Sequence, residues 1–110
     1  MDKTIKYQKI VLQLLDTWKG YKISNRPNLK IDIIVNKAMS NFIVLNYGWD
    51  NDNYIYNVLF HVELKTNNKI WLHEDTTGVG IAKELIHLGI NEKDLVLGFV
   101  EVLDGDLVLG

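Results

Sequence analysis

The stretch YIYNVLFHVELKTNNKIWLHED, residues 54–75, decides the fold. Two runs rich in β-branched and aromatic residues, Tyr54–Lys65 and Lys69–Glu74, flank the polar triplet Thr66-Asn67-Asn68, which is the pattern of a β-hairpin. Burial selects its register, because a slip of one residue would send a strand's whole apolar set to the wrong face. A three-residue loop places Leu64 opposite Ile70 and Val62 opposite Leu72. One face then carries Val58, Phe60, Val62, Leu64, Ile70 and Leu72, and the other carries Leu59, His61, Glu63, Trp71, His73 and Asp75. The first is the core face. A two-residue loop would mix the sets.

Toward the N-terminus, the turn Asn51-Asp52-Asn53 joins this hairpin to a strand over Phe42–Trp49, and the polar segment Lys37–Asn41 joins that strand to Leu29–Asn36. Before them, Tyr7, Ile10, Val11, Leu14, Leu15 and Trp18 recur at helical spacing, which predicts an amphipathic helix ending near Gly20. The only proline, Pro27, falls in the connection that follows. Toward the C-terminus, Thr77 is the expected N-cap of a second helix over Gly78–Leu88, with Ile81, Leu85 and Leu88 inward and Gly89 as its stop. Asn91–Asp94 reads as one helical turn, and Leu95–Leu103 as a strand. Asp104-Gly105 then favours a tight turn, so Asp106–Leu109 is expected to fold back as an edge strand available to another chain or to a second copy. The order α-β-β-β-β-α-β with hairpin-length loops predicts a two-layer α+β fold, with a meandering, mainly antiparallel sheet and both helices on one face.

At 110 residues and 47% hydrophobic content, the chain matches one domain spanning residues 1–110. It has no cysteine, which excludes disulfides, thiolate metal sites and a cysteine nucleophile. No apolar run approaches the ~20 residues of a membrane span, and Met1-Asp2-Lys3-Thr4 opens a polar segment, so a soluble, cytoplasmic protein is expected. The net charge of -2 argues against stand-alone nucleic-acid binding. Charge is nonetheless uneven. Residues 1–30 carry seven Lys/Arg against two Asp, and residues 31–110 carry five Lys against twelve Asp/Glu. The basic first helix, with Lys3, Lys6, Lys9 and Lys19, therefore keeps direct DNA contact as a lesser alternative.

His61 and His73 facing each other across two strands, with Glu63 and Asp75 beside them, form the one cluster with the chemistry of a metal or acid–base site. A small metal-dependent or hydrolytic enzyme using those four residues is the alternative function. The main reading is non-enzymatic. Gly78-Val79-Gly80 lacks the Lys-Ser/Thr of a phosphate loop, and Ser24 and Ser40 lack the frame of an activated nucleophile. Glu74-Asp75 and Asp50-Asp52 are turn and strand-end residues, and His87 suits the C-terminal end of the second helix. No cofactor is expected. Tyr47, Trp49, Tyr54, Tyr56 and Trp71 exceed what one core face needs, and exposed Trp and Tyr are typical anchors of protein interfaces.

Tyr7 and its Ile/Leu helix, Tyr47-Gly48-Trp49-Asp50, His61-Val62-Glu63-Leu64, Lys69-Ile70-Trp71-Leu72, Asp75-x-Thr77, Gly80-Ile81-Ala82 and Val96-Leu97-Gly98-Phe99 together resemble the XisI family over residues 7–99. The resemblance implies a compact α+β accessory factor that controls excision of the fdxN DNA element with an XisH-like, nuclease-related partner, without catalysis of its own. Trp49, Asp50, Trp71, His61, His73 and Asp75 are the candidate interaction residues. The chain has Asp75-Thr76-Thr77 where the family usually has Asp-Gly-Thr, and a longer turn at Thr66–Asn68. Val100–Gly110 replaces the family's proline-containing tail.

Overall fold

The computed structural model of the protein describes residues 2–21, 28–103 and 106–109, with side chains described as far as Val100. Helix α1 (Thr4–Lys19) is followed by strands β1 (Lys30–Val35), β2 (Asn41–Asp50), β3 (Asn53–Leu64) and β4 (Ile70–Asp75). Helix α2 (Ile81–Leu88), a 3-10 turn (Glu92–Asp94), β5 (Leu95–Leu97), β6 (Val100–Leu103) and β7 (Asp106–Leu109) complete the chain. The main sheet has the order β1-β2-β3-β4-β5. Its first four strands are antiparallel neighbours, and β5 lies parallel to β4 because the connection between them is the crossover helix α2. The expected α+β order is present, with one parallel pair at the edge. Pro27, Ser24 and the turn Asp104-Gly105 lie outside the described residues.

The helix α1 buries Tyr7, Ile10, Val11, Leu14, Leu15 and Trp18, the six residues that its periodicity singles out. They pack with Phe42, Val44, Phe60, Val62, Ile70 and Leu72 from the inner face of the sheet, and with Ile81, Leu85 and Ile90 around α2. Burial of each such side chain stabilises the fold by about 1.5–3 kcal/mol, so this one face dominates the energetics. The polar network at its margin is orienting by comparison. Tyr7 Oη donates to Asp94 Oδ2 at 2.5 Å, and Lys3 Nζ donates to the same oxygen at 2.8 Å, which ties the start of α1 to the 3-10 turn.

The decisive hairpin has the expected three-residue loop: Leu64 pairs with Ile70 and Val62 with Leu72, Lys65 N donates to Lys69 O, and Asn68 takes the left-handed conformation at φ 63°. Beyond that point two bulges change the faces. In β4 the extra residue is His73, so His61 lies opposite Glu74 and Phe60 opposite Asp75. In β3 the extra residue is Leu59, so Val44 pairs with Phe60 but Leu45 with Val58. Consequently Val58 leaves the core face, where the sequence pattern placed it, and Leu59 packs against the core instead. Asp75 likewise turns to the helix side.

There Asp75 performs the capping role expected of Thr77. Its Oδ2 accepts from Ile81 N at 2.9 Å and its Oδ1 from Thr77 N at 3.0 Å and Thr77 Oγ1 at 2.6 Å. The helix starts at Ile81 rather than Gly78, after Gly80 in left-handed conformation with no cap from its own side chain. A carboxylate already fills the position a phosphate would take at this helix start. The C-terminal return is present as Val100 opposite Leu109 through Leu103 opposite Asp106, but β6 and β7 form a separate two-stranded sheet rather than the edge of the main one. The backbone turns at Gly98 and Phe99, between β5 and β6, and ends the pairing with β4.

Two substitutions test these local arguments. Asp75→Ala should lower unfolding free energy by about 1–2 kcal/mol in urea titration, with Asp75→Asn losing less because one acceptor remains. At Gly48, φ is +141° and a Cβ would sit 2.6 Å from Asn28 O, so Gly48→Ala should cost more than about 1 kcal/mol. A neutral result for either would contradict the cap or the close approach.

Candidate protein-binding face

Because α1 and α2 cover the inner face, alternation along the strands sends a second set of side chains outward. From the registers, Ile34, Ile43, His61 and Glu74 form one outer row, and Lys30, Tyr47 and Tyr56 another, followed by the pair Trp49 and Tyr54. Glu63 and Trp71 pair on the same outer side near the loop. Trp49, Tyr54 and Tyr56 are 58%, 53% and 62% exposed, which is unusual for aromatic residues held in regular strands. Trp49 and Tyr54 meet edge to face with centroids 5.3 Å apart, so the exposed rings are mutually braced. The hairpin turn Asn51-Asp52, with Asn51 at φ 57°, sets this pairing.

The polar part of the face is built around two histidines. The His61 and His73 rings lie 4.8 Å apart, brought side by side across the bulge. His61 Nε2 donates to Asn41 Oδ1 at 2.9 Å, and His73 Nε2 donates to Glu63 Oε1 at 2.8 Å. Lys65 Nζ stands 3.2 Å from Glu63 Oε1 and over the Trp71 ring at 5.4 Å, while Trp71 also neighbours His73. Burial, reinforced by the neighbouring His73, holds the His61 imidazole below its ordinary value. The hydrogen bond from His73, aided by Lys65, holds the Glu63 carboxyl below the ordinary carboxylate range.

His61, Glu63 and His73 are thus together as expected, whereas Asp75 is on the opposite face as the cap of α2. The four-residue acid–base or metal cluster does not assemble, and no group of three His, Asp or Glu among the described residues is arranged to hold a metal ion. Trp49 and Trp71 are on the outer face, at opposite ends of it, and Asp50 closes the hairpin opposite Asn53. The basic helix is partly neutralised: Lys3 binds Asp94, and Lys19 binds Asp16 at 3.0 Å. Sequence reasoning missed Asp94 as the acceptor for Lys3 and Tyr7, a contact between residues about ninety positions apart. It also missed an apolar cleft of about 630 Å³ between α2 and β5, lined by residues that include Ala82, Ile86, Leu95 and Val96.

A two-layer α+β domain with one covered sheet face and one aromatic, histidine-bearing outer face is the class that fold and surface define. The chain belongs to the XisI family, whose model matches residues 1–104. It is similar to the crystal structure of a XisI-like protein from Anabaena variabilis ATCC 29413, with 31% identity and a TM-score of 0.75 over 86% of this chain and 84% of that one. It also shares the fold of the fdxN element excision controlling factor XisI from the same organism, at 23% identity and a TM-score of 0.71 over 89% of this chain and 93% of that one. Among curated proteins none matches the chain. No helix among the described residues is long and apolar enough to cross a membrane.

The titration of this face has a sign. A histidine whose folded value is lowered contributes stability that is complete above its ordinary value of 6.5 and is lost as pH falls below it. A lowered glutamate contributes stability that is complete above its ordinary 4.5 and is lost as pH falls through the lower folded value. Urea midpoints measured from pH 8 to 4 should therefore fall in two steps. His61→Gln, which keeps a donor toward Asn41, should remove the upper step and spare the lower one. A midpoint that rises on acidification from pH 7 to 5.5 would contradict the assignment.

Proposed function

We propose that the chain is a non-catalytic accessory factor in site-specific excision of a DNA element, acting in the cytoplasm by binding an XisH-like, nuclease-related partner through the outer face of its sheet. Membership of the XisI family supplies the process, and the excision-controlling designation of a relative supplies its direction. The observation that carries the binding role is the braced pair Trp49 and Tyr54 together with exposed Tyr56, on the side of the sheet that neither α1 nor α2 covers. Rigid exposed aromatic rings lose little entropy on docking and bury large areas, which is why such residues dominate interface energetics.

The enzymatic alternative has lost its fourth residue to the cap of α2, and its two histidines already have partners in Asn41 and Glu63. Direct DNA binding would have to work through a helix whose Lys3 and Lys19 are engaged by acids and through a chain of net charge -2. Self-association and an XisH-like partner are both compatible with an aromatic face, and the family relation favours the second.

Calorimetry with an XisH-like protein tests the reading. A complex should form at micromolar concentration, and Trp49→Ala should weaken it by about thirtyfold, a loss of roughly 2 kcal/mol typical of an interface anchor. Absence of a complex with the folded parent chain would overturn the proposal.

A further inference from the structure

The outer aromatic trio sits beside an open sheet edge. Strand β3 begins at Asn53, but its pairing with β4 begins only at Phe60, opposite Asp75. Among the described residues, Asn53 to Asn57 pair with β2 alone, and beyond the Lys30–Tyr47 pair the two strands continue as a two-stranded arm. The arm closes on the two-residue turn Asn51-Asp52 with Asp50 opposite Asn53. In such a turn the closing pair is hydrogen-bonded, so by alternation Asn53, Ile55 and Asn57 direct their N–H and C=O groups to β2. Tyr54, Tyr56 and Val58 then direct theirs to the open side. Thr76 Oγ1, which comes from that side, donates to Val58 O at 2.9 Å, as this phase requires. A groove of about 590 Å³ runs along the same edge between Tyr56, Asn57 and Val58 on one side and Glu74 and Thr76 on the other.

Charge says what fits there. No Lys or Arg occurs between Lys37 and Lys65, the turn of the arm carries exposed Asp52, and exposed Glu74 adds a carboxylate at the groove's far wall. The aromatic faces of Trp49, Tyr54 and Tyr56 attract cations as well. A second copy would bring the same anionic arm to the edge, whereas a cationic strand meets both the carboxylates and the rings.

Resting on the reading of the chain as a binding subunit, we propose that the open edge of β3 at Tyr54–Val58 receives an extended, lysine- or arginine-rich segment of a partner protein as an added antiparallel or parallel strand. The backbone groups of Tyr54 and Tyr56 supply the hydrogen bonds, and the aromatic and acidic side chains supply the preference for cations.

The test uses the full chain, isotopically labelled for NMR, titrated at physiological salt with an octapeptide of alternating lysine and valine and with its glutamate–valine counterpart. The amide signals of Tyr54 and Tyr56 and the Trp49 indole signal should shift and saturate with the lysine peptide, at about tenfold or more higher affinity than with the glutamate peptide. Tyr56→Pro removes an N–H that β2 does not use, so it should keep the parent melting temperature to within a few degrees and lose the peptide. Should that variant fail to fold, the combined Asp52→Lys and Glu74→Lys variant decides instead, because it should reverse the preference between the peptides. Equal binding of both peptides, shifts confined to α1 and α2, or broadening at Tyr54 and Tyr56 that grows with protein concentration in the absence of peptide would each overturn the proposal; the last would assign the edge to a second copy. The two readings fail separately. Loss of the XisH-like complex with peptide binding intact removes only the proposed partner, and a complex unaffected by Tyr56→Pro removes only the edge.

Discussion

One extra residue in β4, His73, determines how the two layers of this protein are joined. Without it, strict alternation would put Asp75 on the outer face beside the histidines, and α2 would start without an acceptor for its first amides. With it, Phe60 lies opposite Asp75, and the carboxylate reaches Ile81 N and Thr77 from the inner side. The anchoring of the start of α2, and hence the closing of the core by Ile81 and Leu85, follows from that shift. The same bulge leaves His61 and His73 side by side on the outside, one bound to Asn41 and the other to Glu63. A bulge therefore separates a structural carboxylate from a surface histidine pair that the sequence presents as one cluster.

Division of labour between the two faces explains why so much aromatic surface persists outside. The inner face is completed by α1, whose Trp18 packs on Phe60 with ring centroids 5.5 Å apart, and needs no further aromatic residues. Trp49 and Tyr54 are left to an arm that projects past β1 and β4, with Tyr47 and Tyr56 paired at its base beside Lys30. Within the Tyr47-Gly48-Trp49-Asp50 motif, Gly48 lets the chain at Asn28 and Leu29 cross closely, while Trp49 points outward from the next position. The motif thus combines a packing requirement with a recognition surface.

Much of the fold was legible in the sequence because it rests on local periodicity: the six buried residues of α1, the three-residue loop at Thr66–Asn68, and the stop at Gly89 all follow from spacing and turn chemistry. Bulges at Leu59 and His73 carry no such signal, since an inserted residue in a strand leaves composition and apparent alternation intact. The misplacement of Val58 and Asp75 came from that single cause. Asp94 was illegible for a different reason, because its partners Lys3 and Tyr7 meet it only through tertiary packing. Of the candidate residues, Trp71, His61 and His73 stand on the outer face, where the register of the hairpin put them, and Trp49 joins them through the pairing of β2 with β3, which the sequence left open.

The central claim is that the outer aromatic face, and not the helical layer, is what this chain offers to a partner. Hydrogen exchange read by mass spectrometry on the chain alone and in complex with an XisH-like protein tests it most directly. Exchange should slow across residues 47–58 on complex formation and stay unchanged across 4–19 and 81–88. Protection confined to the helices, or to residues 100–109, with no change in 47–58, would contradict the account.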